Sequence, residues 1–168
     1  ALSAIRACAA RRDVDPTALP PHTAAMSNTF AARIIRQPIA YDRDGAADLA
    51  HHFADLAPEM RGLIAATAGC SPYLKGLMLR EADWLRAALH IAPETAFAGV
   101  LVALNEVPLD LLPVALRQAK RRAALLTALA DLGGLWSVMQ VTGALTRLAD
   151  RAVDLAMRRL VADEIRRG

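Results

Sequence analysis

The chain has 168 residues, 55% of them hydrophobic and 22% charged, which is enough material for one sizeable core and excludes intrinsic disorder for most of the length. With 37 Ala and 25 Leu, few β-branched residues and only 4% aromatics, the intrinsic preference is helical, and all-β and α/β architectures are excluded. Twenty basic residues against 17 acidic ones leave a dispersed +3, which gives no ground for a nucleic-acid or anionic-membrane partner.

The calculated pI of 9.3 reports that the basic side chains are nearly all Arg. Cys8 and Cys70 lie far apart, outside any CxxC or Cys/His spacing, as expected of a reduced, cytoplasmic protein. The longest apolar uncharged run, Thr95 to Asn105, is about half of what spans a bilayer, so no transmembrane helix is expected. The N-terminal residues lack the continuous apolar stretch of a secretory signal. A start at Ala1 and an end at Arg166-Arg167-Gly168 lead us to expect a piece of something larger, with Met26 as an alternative natural start.

In chain order, residues 1–12 read as a short Ala-rich helix stopped by Pro16, Pro20 and Pro21, which begin an extended connector. Phe30 to Ile35 has helical character that ends before Pro38. Residues 1–40 are therefore expected to be a poorly ordered or short-helical arm, and residues 41–168 a helical bundle. Asp44 is the expected cap of a helix running to Ala57, with Leu49, Phe53 and Leu56 at helical intervals. Pro58 opens the next helix, which ends at Gly69, and Ser71-Pro72 launches another through Leu77 and Met78. Trp84, Leu85 and Leu89 mark a further helix to His90, and Pro93 opens one carrying Phe97, Val100, Leu101 and Leu104.

Pro113 lies near the start of a helix that runs to Leu132, where Gly133-Gly134 supplies a left-handed cap. Ser137 caps the last helix, with Val138, Val141, Leu145, Leu148, Ala152 and Leu155 as its stripe. Its length is roughly 28 residues, or about 42 Å. Asp154 with Arg158, and Asp163 with Arg167, have the acid-before-base i,i+4 spacing. The expected fold is all-α: an irregular helical bundle with these two long C-terminal helices antiparallel as its spine.

Chemistry is harder to find. Arg117, Lys120, Arg121 and Arg122 put four positive charges within little more than a turn, a candidate grip for a phosphate or an acidic partner, or else a solvated helix face. His51 and Asp55 share a helix face with His52 beside them, yet no third ligand is near, and an ordinary surface pair is the plainer reading. Gly69-Cys70-Ser71 followed by Glu81-Ala82-Asp83 has nearly the spacing by which polymerase-beta-type nucleotidyltransferases hold Mg²⁺ ions. That motif needs a strand, where alternate residues point the same way, whereas a helix would separate residues two apart by about 200°. Asp13-Val14-Asp15 and Asp42-Arg43-Asp44 follow no Gly-rich turn. From the residues alone, no catalytic, cofactor or metal site is expected in this chain.

Gly69-Cys70-Ser71-Pro72-Tyr73-Leu74, with Trp84-Leu85 about a dozen residues on, resembles a segment of the glutamine synthetase adenylyltransferase/adenylyl-removing family. The same family is resembled by Leu116-Arg117-Gln118-Ala119-Lys120-Arg121-Arg122, then Ala130-Asp131-Leu132-Gly133-Gly134, then Val141-Thr142-Gly143-Ala144-Leu145-Thr146-Arg147-Leu148-Ala149-Asp150. The resemblance implies a bifunctional cytoplasmic enzyme of bacterial nitrogen control. One half attaches AMP from ATP to a tyrosine of glutamine synthetase, and the other removes it by phosphorolysis as ADP, under a nitrogen-signalling protein and glutamine.

It also implies that Mg²⁺ and ATP or ADP bind nucleotidyltransferase cores whose Gly-rich turn and Asp-x-Asp strand are expected after Gly168. This chain is then the helical region before the N-terminal core, inactive alone, with Arg117, Lys120, Arg121 and Arg122 as a candidate docking surface. The competing expectation is a stand-alone helical interaction module.

Overall fold

The computed structural model describes residues 28–105 and 107–167, and among them there are seven α-helices and no strand. They are α1 (Arg43–His52), α2 (Pro58–Cys70), α3 (Pro72–Arg80), α4 (Ala82–Leu89), α5 (Pro93–Val102), α6 (Leu112–Leu132) and α7 (Val138–Arg167). The fold is all-α, as the composition predicts. The helix expected over residues 1–12, the proline connector and the alternative start at Met26 lie outside the described residues.

Local chemistry sets most boundaries. Pro58, Pro72 and Pro93 each stand in the first turn of a helix, where the missing N–H costs nothing. The Ser71 hydroxyl accepts from the Leu74 N–H at the head of α3. Ser137 and Gln140 form a reciprocal capping box at the head of α7: the Gln140 N–H donates to Ser137 Oγ, and the Ser137 N–H donates to Gln140 Oε1 at 2.8 Å.

One cap differs from expectation. Asp42, not Asp44, caps α1, its carboxylate accepting from the Gly45 N–H at 2.9 Å. A Cβ at Gly45 would sit 2.2 Å from Asp42 Oδ2, so glycine at the third helical position lets the cap close. The helix also stops at His52, short of Ala57: Ala57 precedes Pro58 and is extended, and Phe53 to Leu56 form the turn between.

The junction of α6 and α7 is a Schellman motif. The Gly134 N–H donates to Asp131 O and the Leu135 N–H to Ala130 O, and Gly134 has φ +73°. Glycine is required there on two counts, because a Cβ would also lie 2.6 Å from the Ile35 side chain. Ile35 belongs to a strap, residues 28–40, that crosses the bundle and finishes this cap. The Ile35 and Arg36 N–H groups donate to Gly133 O, and the Arg36 guanidinium donates to Asp131 O and Leu132 O. A cation at the carbonyl end of a long helix also meets its dipole favourably.

The packed region thus reaches back beyond Tyr41 into the stretch expected to be a poorly ordered or short-helical arm. Phe30 is fully buried and its N–H donates to Ile91 O, while Ala31–Arg33 makes one 3₁₀ turn and Ile34 leans on the core.

The main core joins α1 to α6 through Leu49, Phe53, Leu63, Met78, Leu85, Phe97, Leu126 and Leu129, and reaches α7 at Ala144. A smaller cluster links α5, α6 and α7 through Val100, Leu104, Leu112, Ala119 and Leu155. The 30-residue α7 buries only Ala144 and Leu155. Of its expected ion pairs, Asp154 with Arg158 forms at 2.9 Å, whereas Asp163 turns to Arg159 and Arg166, and Arg167 turns to Glu164.

Because Phe30 ties the strap to the core, Phe30→Ala is expected to lower stability by about 3–5 kcal/mol in urea unfolding. A loss under about 1 kcal/mol would show that the strap adds nothing.

Candidate functional site

The four basic residues of α6 divide into two pairs. Arg121 and Arg122 turn inward. Arg121 Nε donates to Glu81 Oε1 at 2.9 Å, and Arg122 Nε donates to Glu81 Oε2 at 2.8 Å. Arg122 also stands over the Trp84 ring at 5.2 Å. Glu81 occupies the corner between α3 and α4 and is 5% exposed. Burial pushes its carboxyl pKa upward, but hydrogen bonds from Arg122 and Arg121 outweigh that and hold it below the usual glutamate value. Two of the four residues expected to face a partner are therefore structural.

Arg117 and Lys120 are exposed and make no ion pair among the described residues. They edge an open groove of about 360 Å³ between α6 and α7, whose other walls are Leu116, Leu145, Leu148, Ala149 and Ala152. An apolar floor with two unpaired cations one turn apart suits a surface that is part apolar and part acidic.

The other sequence candidates do not converge. Asp83 points into solvent with Arg86 as its ion-pair partner, while Glu81 is held by its two arginines, so the Glu81-Ala82-Asp83 spacing gathers no metal ligands. His51 and His52 are exposed, and Asp55 is held by Arg86 Nε at 2.9 Å, which keeps its pKa low. Among the described residues no three His, Cys, Asp or Glu side chains form a group that could hold a metal ion, so the residues present do not fit a Mg²⁺ site. Nor, among them, is any helix long and apolar enough to cross a membrane.

A second polar cluster escaped the sequence reading. Glu94 accepts both guanidinium nitrogens of Arg33, at 2.7 and 3.0 Å, and Trp136 Nε1 at 2.7 Å. Burial works against its ionised form, and the hydrogen bonds from Arg33, the backbone and Trp136 together outweigh it, so its pKa is also lowered. Its partners stand 61 and 42 residues away in sequence, and no local pattern announces them. For Glu81 a faint signal existed: an acid at a helix junction in a chain whose most basic helix has paired arginines to spare.

The family model described as glutamate-ammonia ligase adenylyltransferase matches residues 60–168. A bifunctional glutamine synthetase adenylyltransferase/adenylyl-removing enzyme of Rhodopseudomonas palustris is 42% identical over 168 aligned positions, covering 87% of this chain and 17% of the relative. Proteins of the same description from a Bradyrhizobium species and from Caulobacter vibrioides are 40% and 39% identical, each over 64% of this chain and 12% and 11% of their own lengths. The chain thus spans less than a fifth of the curated relatives it matches. No solved structure matches it.

Glu81→Gln is expected to cost about 1–3 kcal/mol at neutral pH, since it leaves two arginines facing an uncharged amide. The sign with pH follows from the lowered folded-state pKa. The carboxylate's stabilisation is present above the unfolded value of about 4.3 and is lost as pH falls through the folded value. Urea midpoints of the two proteins should therefore converge in acid, and a pH-independent gap would contradict the assignment.

Proposed function

Because this chain belongs to the glutamate-ammonia ligase adenylyltransferase family, we propose that it is the helical region beside the deadenylylating nucleotidyltransferase core of a bifunctional, cytoplasmic enzyme. That enzyme adds AMP to glutamine synthetase and removes it. The observation that carries this reading is the family match over residues 60–168, in a chain that corresponds to 17% of a 42%-identical relative.

In this reading the chain is a scaffold. Mg²⁺ and ATP or ADP act in the core, a nitrogen-signalling protein sets the direction, and residues 41–168 precede the core in the polypeptide. No reaction step is assigned to side chains here, which agrees with how the acids are spent: Glu81 on Arg121 and Arg122, Glu94 on Arg33 and Trp136, Asp55 on Arg86. Arg117 and Lys120, with the apolar groove they border, contribute to docking glutamine synthetase.

Phosphorolysis of adenylylated glutamine synthetase, followed as ADP release, should be absent with the 168-residue chain and present with a longer polypeptide that includes the core. Release by the short chain would overturn the scaffold assignment. In the longer enzyme, Arg117→Glu with Lys120→Glu should raise the KM for adenylylated glutamine synthetase roughly three- to tenfold with kcat little changed, as loss of charge complementarity would do. Unchanged kinetics would remove the groove from the docking surface.

A further inference from the structure

The last helix has two apolar faces. Inward, Val141, Ala144, Leu148 and Leu155 meet the bundle. Outward, Val153, Met157, Leu160, Val161 and Ile165 recur at steps of four, three, one and four, and are 63, 55, 61, 54 and 76% exposed. Val153 and Met157 each lie about 200° round the helix from Leu155, so this stripe begins opposite the packed face. A surface helix normally needs one apolar stripe. A second, with no buried residue from Ala156 to Arg167, is a face awaiting a partner.

The charges beside the stripe say what kind of partner. Arg151 and Arg158 both bind Asp154, Arg159 and Arg166 both bind Asp163, and Arg167 binds Glu164. Every charged side chain from Arg151 to Arg167 is thus occupied on its own helix, in contrast to Arg117 and Lys120. The stripe offers shape and apolar area but little charge for steering a separately diffusing molecule. A tethered domain needs no such steering, because covalent linkage already holds it at an effective concentration of about millimolar for short linkers.

We propose that Val153, Met157, Leu160, Val161 and Ile165 are the seat of another folded part of the same polypeptide in the longer enzyme, so that α7 is packed on both sides. This rests on the functional reading above, in which the chain is one segment of an enzyme of the relatives' length. Its support is the 17% coverage of those relatives and a family match that runs through the whole of α7. A helix end with one face unburied is also marginal in water on its own.

Met157→Cys tests the seat. Alkylation by N-ethylmaleimide, resolved by peptide so that Cys8 and Cys70 do not interfere, is timed in the 168-residue chain and in the full-length polypeptide. The expected result is labelling at least tenfold slower in the longer chain. Equal rates would overturn the proposal, as would protection in the short chain that grows with its concentration, because the occupant would then be a second copy.

Hydrogen exchange over residues 153–165 of the unsubstituted proteins guards against a substitution that perturbs α7, and should show the same protection. Deadenylylation by the unsubstituted full-length polypeptide is measured in parallel. Protection without that activity would sink the functional reading and leave the seat standing; activity without protection would do the reverse.

Discussion

A buried carboxylate has to be answered, and in this molecule the answer organises the bundle. Glu81 is the one charged side chain buried among the described residues, and both of its oxygens are taken by neighbouring arginines of α6. Desolvating a single charge is costly, whereas two charge-assisted hydrogen bonds of good length offset that cost and fix geometry. The α3–α4 corner can therefore meet α6 in only one register. Trp84, two residues past the start of α4, follows from that register and comes under Arg122. The apolar contacts that give the bundle most of its stability are less particular about register than this pair of hydrogen bonds.

The same bridge decides which surface remains for function. Had all four basic residues of α6 pointed outward, the helix would present a phosphate-sized cluster. With two of them drawn in, Arg117 and Lys120 are left on the lip of an apolar groove, a surface suited to a protein partner more than to a small anion. The charged residues of the second half of α7 are consumed in another way, by one another, leaving an apolar stripe between them. Two neighbouring surfaces on one pair of helices thus differ in character because their arginines found different acids.

Features written within four or five residues were legible in the sequence. Pro58, Pro72 and Pro93, the Ser71 and Ser137 caps and the Gly133-Gly134 stop announced helix boundaries because capping chemistry is local. The Asp42 cap was misplaced by two positions because two aspartates competed, and the decision lay in Gly45, whose missing Cβ lets the Asp42 carboxylate close on its N–H. What could not be read were polar contacts across 40 residues or more: Glu81 with Arg121 and Arg122, and Glu94 with Arg33 and Trp136. Periodicity reports which face of a helix is buried, not which acid a buried arginine will meet. For the same reason the packing of the strap was not legible, since Phe30 shows its role only against Ile91, and Ile35 only against Gly133.

The strap's anchoring also has a timetable. Ile35 and Arg36 donate to the carbonyl of Gly133, nearly a hundred residues further along the chain, whereas most helix neighbours in the bundle are adjacent in sequence. At a synthesis rate of about 5–20 residues per second, the partner of this strap leaves the ribosome roughly 5–20 s after the strap itself. Through that interval Phe30 has an incomplete pocket, and the α6–α7 turn that receives its neighbours does not yet exist. Closure over the finished bundle is a late, non-local event, and the nascent chain carries an unpaired strap until it happens.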